Sequence, residues 1–428
     1  MMFISIQKTI SVTLCVINNM KILIVGLNYS PDITGIGKYT GEMAEWLGAR
    51  GHHVRVVTAP PYYPQWKVQK PYKAFFYKKE TVEGVDIYRC PLYVPTEVST
   101  LKRVIHLLSF SMSSAPLLLS MIFWKPDVVV NPVPSLFSSP LTALAAKLCK
   151  AKSVMHVQDY EVEAMLGLGM SNRGFVSRLA RGFERWALGL FSKVSTISHS
   201  MMRKAVEKGV PEKNIIFFPN WSDTAHFQKE KDPVAVRERF GIAEREKLIL
   251  YSGNVGDKQG LEQVIGAADI LKDEGYVFVV VGDGAGKKKL VELAHRKKLE
   301  NIKFFSLQPF DLLPSILGAA DCHLVVQRKG VADAVLPSKL TNILAVGGNA
   351  VITAEEETEL GILCEQHNGI AVRVEPESID ELVKGIQIAV GCSKPNAVAM
   401  GYAKKFIDKE FVLERFEQSL LELQGNRI

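Results

Sequence analysis

The chain has 428 residues, 47% of them hydrophobic and 23% charged, and a net charge of +7. These values exclude a disordered chain, a collagen-like repeat and a disulfide miniprotein, and the length predicts two or three domains. The charge is uneven: residues 1–200 hold 22 Lys+Arg against 12 Asp+Glu, residues 201–428 hold 30 against 33, and a basic half of this kind faces something anionic.

Residues 1–19 carry one Lys, a short apolar run and no small-x-small cleavage pattern, so they read as an extension upstream of a start at Met20. From Met20 onward, short Val/Ile runs alternate with amphipathic stretches. The runs are 21–26, 53–58, 127–131, 153–157, 193–197 and 214–219, then 247–253, 277–284, 301–305, 322–327, 349–353 and 370–374. Near-continuous apolar runs of this length are strands buried on both faces of a parallel sheet. Two successive series predict an α/β chain with two doubly wound domains, at 20–221 and 247–397. The polar stretch 222–246 is the expected linker, and a closing helix is expected over 398–428, its pattern running from Val398 to Leu423.

Two stretches depart from this alternation. Residues 104–124 are uncharged for 21 positions, long enough to span a bilayer, but they hold five serines, His106 and Pro116 inside a crossover. Just upstream, 61–79 has five lysines, seven aromatics and no acid, the composition of a surface that lies on a membrane interface. The same residues also fit a buried crossover helix beside a solvated loop. Further on, Arg178, Arg181 and Arg185 recur at helical spacing; that helix meets anionic lipid, or it is a solvated face with Phe183 and Trp186 turned inward.

Cys15, Cys90, Cys149, Cys322, Cys364 and Cys392 are scattered without a C-x-x-C pair, so reduced thiols in a cytosolic protein are expected, with no metal and no cofactor. No nucleic-acid-binding signature accompanies the basic charge. Gly35 and Gly37 follow the first strand, where a strand–loop–helix turn frees backbone N–H groups for an anion; a plain tight turn is the other reading. In the second series, YSGNVGDKQG places Asn254 and Lys258 in a glycine loop, and LPSKLTN places Lys339 on the first turn of a helix. Two lysines at strand carboxyl ends suit a diphosphate. In HVQDYEVEA, His156 ends a strand, and Asp159 and Glu161 sit in the loop after it; Asp159 there is either a reactive group or a helix N-cap.

Several long strings in order carry a family resemblance: TGIGKYTGEM, APPYYPQW, HVQDYEVEAMLGLG, NWSDTAHF, SGNVGDKQGLE and LPSKLTNILAVGGNAVITAE. Through them the chain resembles the retaining GT-B glycosyltransferases of family 4, over essentially all of 20–423. It is nearest to the branch that transfers fucose in colanic acid biosynthesis of enteric bacteria. The resemblance implies two Rossmann-like domains with a cleft between them and a C-terminal helix crossing back to the first. It implies GDP-fucose as donor, with GDP-mannose or a UDP-sugar as the alternative, and a lipid-linked oligosaccharide acceptor. The expected setting is the anionic inner face of the cytoplasmic membrane, with peripheral attachment. In that picture Asp159 orients the acceptor or assists as base, and His156 contacts the donor sugar. The family's two donor-binding glutamates fall at Ala334 and Asn342, so neither acid is present; Asp333 and Asn342 are the residues left to meet the sugar and the ribose. A non-catalytic assembly partner on the same fold is the reading from another class.

Overall fold

The computed structural model describes residues 19–32, 35–97, 99–162, 174–229, 231–330 and 336–425. Two compact units emerge. One holds the chain to Met155, Asp159–Ser192 and the chain from Leu420; the other holds His156–Gln158 and Lys193–Ser419.

The first series runs β1 (Lys21–Val25), α1 (Gly35–Ala49), β2 (His53–Thr58), β3 (Lys78–Val82), β4 (Val85–Arg89), α2 (Thr100–Trp124), β5 (Val128–Val133), α3 (Ser139–Cys149), β6 (Lys152–Val157) and α4 (Phe175–Gly189). It continues with β7 (Lys193–Thr196), α5 (His199–Glu207) and β8 (Ile215–Phe217). The sheet order is β3-β4-β2-β1-β5-β6-β7-β8, so the order reverses between β1 and β5. β1, β5 and β6 bury nearly every residue, as strands covered by helices on both faces must.

The β3–β4 hairpin has no counterpart among the strands expected from the apolar runs. It is antiparallel, and it turns through Glu83 and Gly84, both at positive φ. β3 is an exposed edge whose lysines face solvent, so no apolar run marks it. Lys78 and Lys79 therefore belong to a strand, paired with Glu80 and Asp86, and not to a lysine loop.

The second series runs α6 (Thr224–Gln228), α7 (Pro233–Phe240), β9 (Lys247–Ser252), α8 (Glu262–Ile270), β10 (Tyr276–Val281), α9 (Lys287–Arg296), β11 (Ile302–Phe305), α10 (Leu313–Ala319), β12 (Cys322–Val325), α11 (Ser338–Val346), β13 (Ala350–Thr353), α12 (Glu359–Gln366), β14 (Val372–Val374), α13 (Ile379–Gly391), α14 (Ala397–Tyr402) and α15 (Lys409–Gly425). Its order, β11-β10-β9-β12-β13-β14, reverses between β9 and β12. Phe227, Val236, Phe240 and Ile242 from the 222–246 stretch join the core of this sheet. Both series thus form Rossmann-like sheets, as the strand pattern predicts. In sheets of this kind, ligands sit beyond the carboxyl ends of the strands at the reversal.

The closing helix is not continuous. After α14 the chain loosens over Ala403–Ile407 and breaks at Asp408, whose ψ of 134° is extended. Asp408 accepts from the Phe411 amide and bonds the Thr224 hydroxyl, acting as an N-cap for α15 where the periodicity alone reads one long helix.

Candidate functional site

The second sheet carries a glycine-lined seam at its carboxyl edge, beside the β9/β12 reversal. The loop after β9 and the loop after β10 meet backbone to backbone: the Gly253 amide donates to Val281 O at 3.0 Å, Val255 to Asp283 O at 3.0 Å, and Gly286 to Val255 O at 2.9 Å. The glycines are required. A Cβ on Gly282 would stand 1.9 Å from Gly253 O, and one on Gly284 would stand 2.3 Å from Val255 O. Gly282→Ala is therefore expected to force the loops apart, lowering stability by about 1–3 kcal/mol and weakening donor affinity, which thermal unfolding and donor titration would both detect.

Lys339 stands at this seam. Its Nζ donates to Tyr251 Oη at 3.2 Å and lies 4.4 Å from that ring's centre, while Tyr251 Oη donates to Asn254 O at 2.6 Å. Tyr251 is itself buried, so the ammonium is held over a fixed platform. Pro337 provides no side-chain cap to α11, and its carbonyl accepts from the Leu340 amide at 2.8 Å and the Thr341 amide at 3.3 Å. Asn254 and Lys258 are exposed on the same loop, and Arg328 fastens its far side by donating to Asp257 O at 2.7 Å. Asn342 lies one turn along α11 and accepts from Ser222 Oγ at 2.9 Å. Asp333 falls outside the described residues.

His156 ends β6 as expected, but it is 3% exposed. Its Nδ1 is 2.9 Å from Ser195 Oγ, and its ring packs against Phe218 at 4.9 Å. Burial lowers its pKa to about 3, so the imidazole is neutral and suits hydrogen bonding, not proton transfer. Asp159 is exposed at the start of the next turn.

In the first unit, groups that the sequence did not single out as a set come together at the carboxyl edge of the sheet. Asp32 follows β1, Tyr62 follows β2 and Glu161 follows β6. Gly35 and Gly37 open α1 there, and a Cβ on Gly37 would stand 2.6 Å from Asp32 Cβ, so that glycine lets the carboxylate lie against the helix. Asp32 and Glu161 both act on the Tyr62 phenol electrostatically, as does Arg103. Glu161 Oε2 accepts from the Leu136 amide at 3.1 Å. Asp32 Oδ1, Glu161 Oε1 and Tyr29 Oη are buried and find no hydrogen-bond partner among the described residues. Desolvation raises Asp32 to about 6 and Glu161 to about 7, partly offset for Glu161 by the Leu136 amide and Arg103. Two carboxyl groups that titrate near neutrality, with unused acceptor atoms, are chemically suited to hold hydroxyl groups. A sequence signal existed: polar residues directly after parallel strands occupy the binding edge.

Two doubly wound, Rossmann-like sheets in succession define the GT-B architecture. Residues 34–221 match the glycosyl transferase 4-like domain and residues 235–406 match the glycosyl transferases of group 1, and the chain belongs to this glycosyltransferase family. It is 57% identical over 403 residues, 93% of this chain and 98% of the relative, to the Escherichia coli (strain K12) protein assigned as the colanic acid biosynthesis glycosyl transferase WcaI. Sucrose-phosphate synthase of Thermosynechococcus elongatus shares the fold with a TM-score of 0.70 at 14% identity, covering 95% of this chain and 100% of that one. Anabaena HepE in complex with UDP-glucose does so at 0.64 and 15% identity, covering 95% and 100%.

Proposed function

We propose that this glycosyltransferase moves a hexose, fucose from GDP-fucose, onto a lipid-linked oligosaccharide in colanic acid biosynthesis, with retention of configuration, on the anionic cytoplasmic face of the membrane. The interlocked glycine loops under Lys339 carry the donor half of this reading, and the 57% identity to WcaI supports the pathway. In the reaction the acceptor oxygen bonds the sugar's anomeric carbon as the bond to the diphosphate oxygen breaks. The nucleoside diphosphate departs, and the acceptor proton leaves with its phosphate. Lys339 and Lys258 meet the charge that grows on the diphosphate, while the Gly253 and Gly282 loops admit it to close backbone range. Asn254 and Asn342 take the donor's ribose and hydroxyls, together with Asp333, and Gly35 and Gly37 let the first-sheet loop approach the substrate. Asp159 orients the acceptor hydroxyl, and neutral His156 hydrogen-bonds the donor sugar.

The test is transfer of label from a panel of nucleotide sugars to extracted lipid-linked acceptors. Labelled GDP-fucose is expected to give the product. Product from GDP-mannose or a UDP-sugar alone would reassign the donor, and no transfer from any donor would favour a non-catalytic assembly partner.

A further inference from the structure

α2, α3 and α4 each advance the chain in the same direction across the first sheet, from β4 to β5, β5 to β6 and β6 to β7. Right-handed crossovers place all three on one side of it. Their contacts agree: Ser111 on α2 donates to Phe137 O at 2.9 Å just before α3, and Phe137 packs 5.7 Å from Phe183 on α4. The inner face of α2 buries His106, Leu107, Phe110, Ser114, Leu118 and Met121. Its outer face is a continuous apolar stripe at helical spacing: Leu101, Ile105, Leu108, Met112, Leu119 and Phe123, with Met112 75% and Phe123 88% exposed. The side of the fold is already packed, so this stripe is surplus to the core.

Neighbouring elements extend it. Tyr77 Oη donates to Ser113 O at 2.9 Å and brings Phe75, 74% exposed, and Phe76 beside the middle of α2. Trp66, from the same aromatic stretch, instead packs 5.2 Å from His106 and does not contribute. On α4, Phe175, Val176, Leu179 and Trp186 are exposed while Phe183 turns in, which decides between the two readings of that helix. Arg178, Arg181 and Arg185 are exposed among these apolar groups, and the helix's one acid, Glu184, is 2% exposed. Lys70 and Lys73 are exposed, and the Lys73 ammonium lies 5.5 Å over the Phe76 ring.

We infer that the outer face of α2 and α4, with Phe75 and Phe76, is a membrane-docking surface that lies in the headgroup region of an anionic bilayer. The inference rests on the proposed lipid-borne acceptor. Apolar side chains ringed by Arg and Lys, with no exposed acid on either helix, match such an interface in both composition and sign. α2 is long and apolar enough to cross a membrane by length and composition, but a third of its apolar window is buried against the fold, so it lies along the surface.

The experiment is flotation of the full chain with vesicles of phosphatidylcholine alone or with 30% phosphatidylglycerol added. Wild type is expected to float with the anionic vesicles and at least tenfold less with the neutral ones. The Met112→Glu, Leu119→Glu, Phe123→Glu triple variant should lose at least tenfold in vesicle affinity while its melting temperature is unchanged. An Arg178→Gln, Arg181→Gln, Arg185→Gln variant should lose the preference for anionic lipid. Exposed apolar residues of the second unit give the control, and Val234→Glu with Leu307→Glu should float as wild type does. Unchanged flotation of the α2 variant overturns the docking face and leaves the membrane reading standing. Wild type that floats with neither vesicle overturns the membrane reading itself. Two further results also overturn the inference: a concentration-dependent dimer that the α2 variant abolishes makes the face a contact between copies, and release from membranes by detergent alone, not by high salt or carbonate, makes α2 a span.

Discussion

Lys339→Ala is expected to lower turnover by about 10- to 150-fold while leaving the melting temperature nearly unchanged. Loss of a charge-assisted hydrogen bond costs roughly 1.5–3 kcal/mol, and tenfold in rate corresponds to about 1.4 kcal/mol. The charge on the leaving diphosphate grows toward the transition state, so the loss should fall on kcat more than on KM. Stability should hold because Lys339 touches Tyr251 through its tip, whereas Tyr251 keeps its own bond to Asn254 O. Lys339→Arg retains charge but changes the fit over the ring and should recover only part of the rate. Lys258→Ala should act in the same direction, since this exposed side chain has its backbone carbonyl held by the Arg328 amide at 3.0 Å and keeps that anchor in the variant. Steady-state kinetics beside thermal melts measure both; wild-type kcat in either variant removes that lysine from the diphosphate.

Glu161→Gln should flatten the pH dependence of stability between about pH 4.5 and 7. The folded carboxyl has a pKa of about 7, raised by burial from 4.5. Between those values the folded state holds a proton that the unfolded state has released, so stability falls as pH rises. For one group with that shift the fall is about 3 kcal/mol, complete just above pH 7. Glutamine cannot ionise and keeps an acceptor for the Leu136 amide, so the variant should match wild type near pH 4.5 and exceed it at pH 8. Denaturant unfolding across the pH range reads this directly. Equal slopes in the two proteins would show that Glu161 does not titrate there. Asp32→Asn should show a smaller change of the same sign, because its pKa is raised only to about 6.

Twelve of the fourteen strands among the described residues could be read from apolar runs, because strands covered by helices in a parallel sheet favour Val, Ile and Leu. The two that could not, β3 and β4, form a hairpin whose edge strand reads KKETV; solvent exposure removes the pattern that marks a strand. The break at Asp408 escaped because periodicity continues across it, while the capping residue acts through one side-chain bond. At the proposed donor loops, glycines and lysines stood out by type and spacing. The carboxyl set at the first sheet did not, since Asp32, Tyr62 and Glu161 are far apart in sequence and only strand order makes them neighbours. His156 was visible as a strand-end residue, but its neutral state depends on burial, which no spacing reveals.

The backbone-to-backbone seam between the loops after β9 and β10 also limits how this enzyme can change. Side chains are excluded at Gly282 and Gly284 by main-chain atoms, so neither position can gain a new side-chain contact. On the proposed donor role, variation in donor choice must instead come from the rim, where Asn254, Asp257 and Lys258 are exposed. A library aimed at a new donor is best confined to those positions; randomising the glycines would spend its diversity on chains that cannot close the seam.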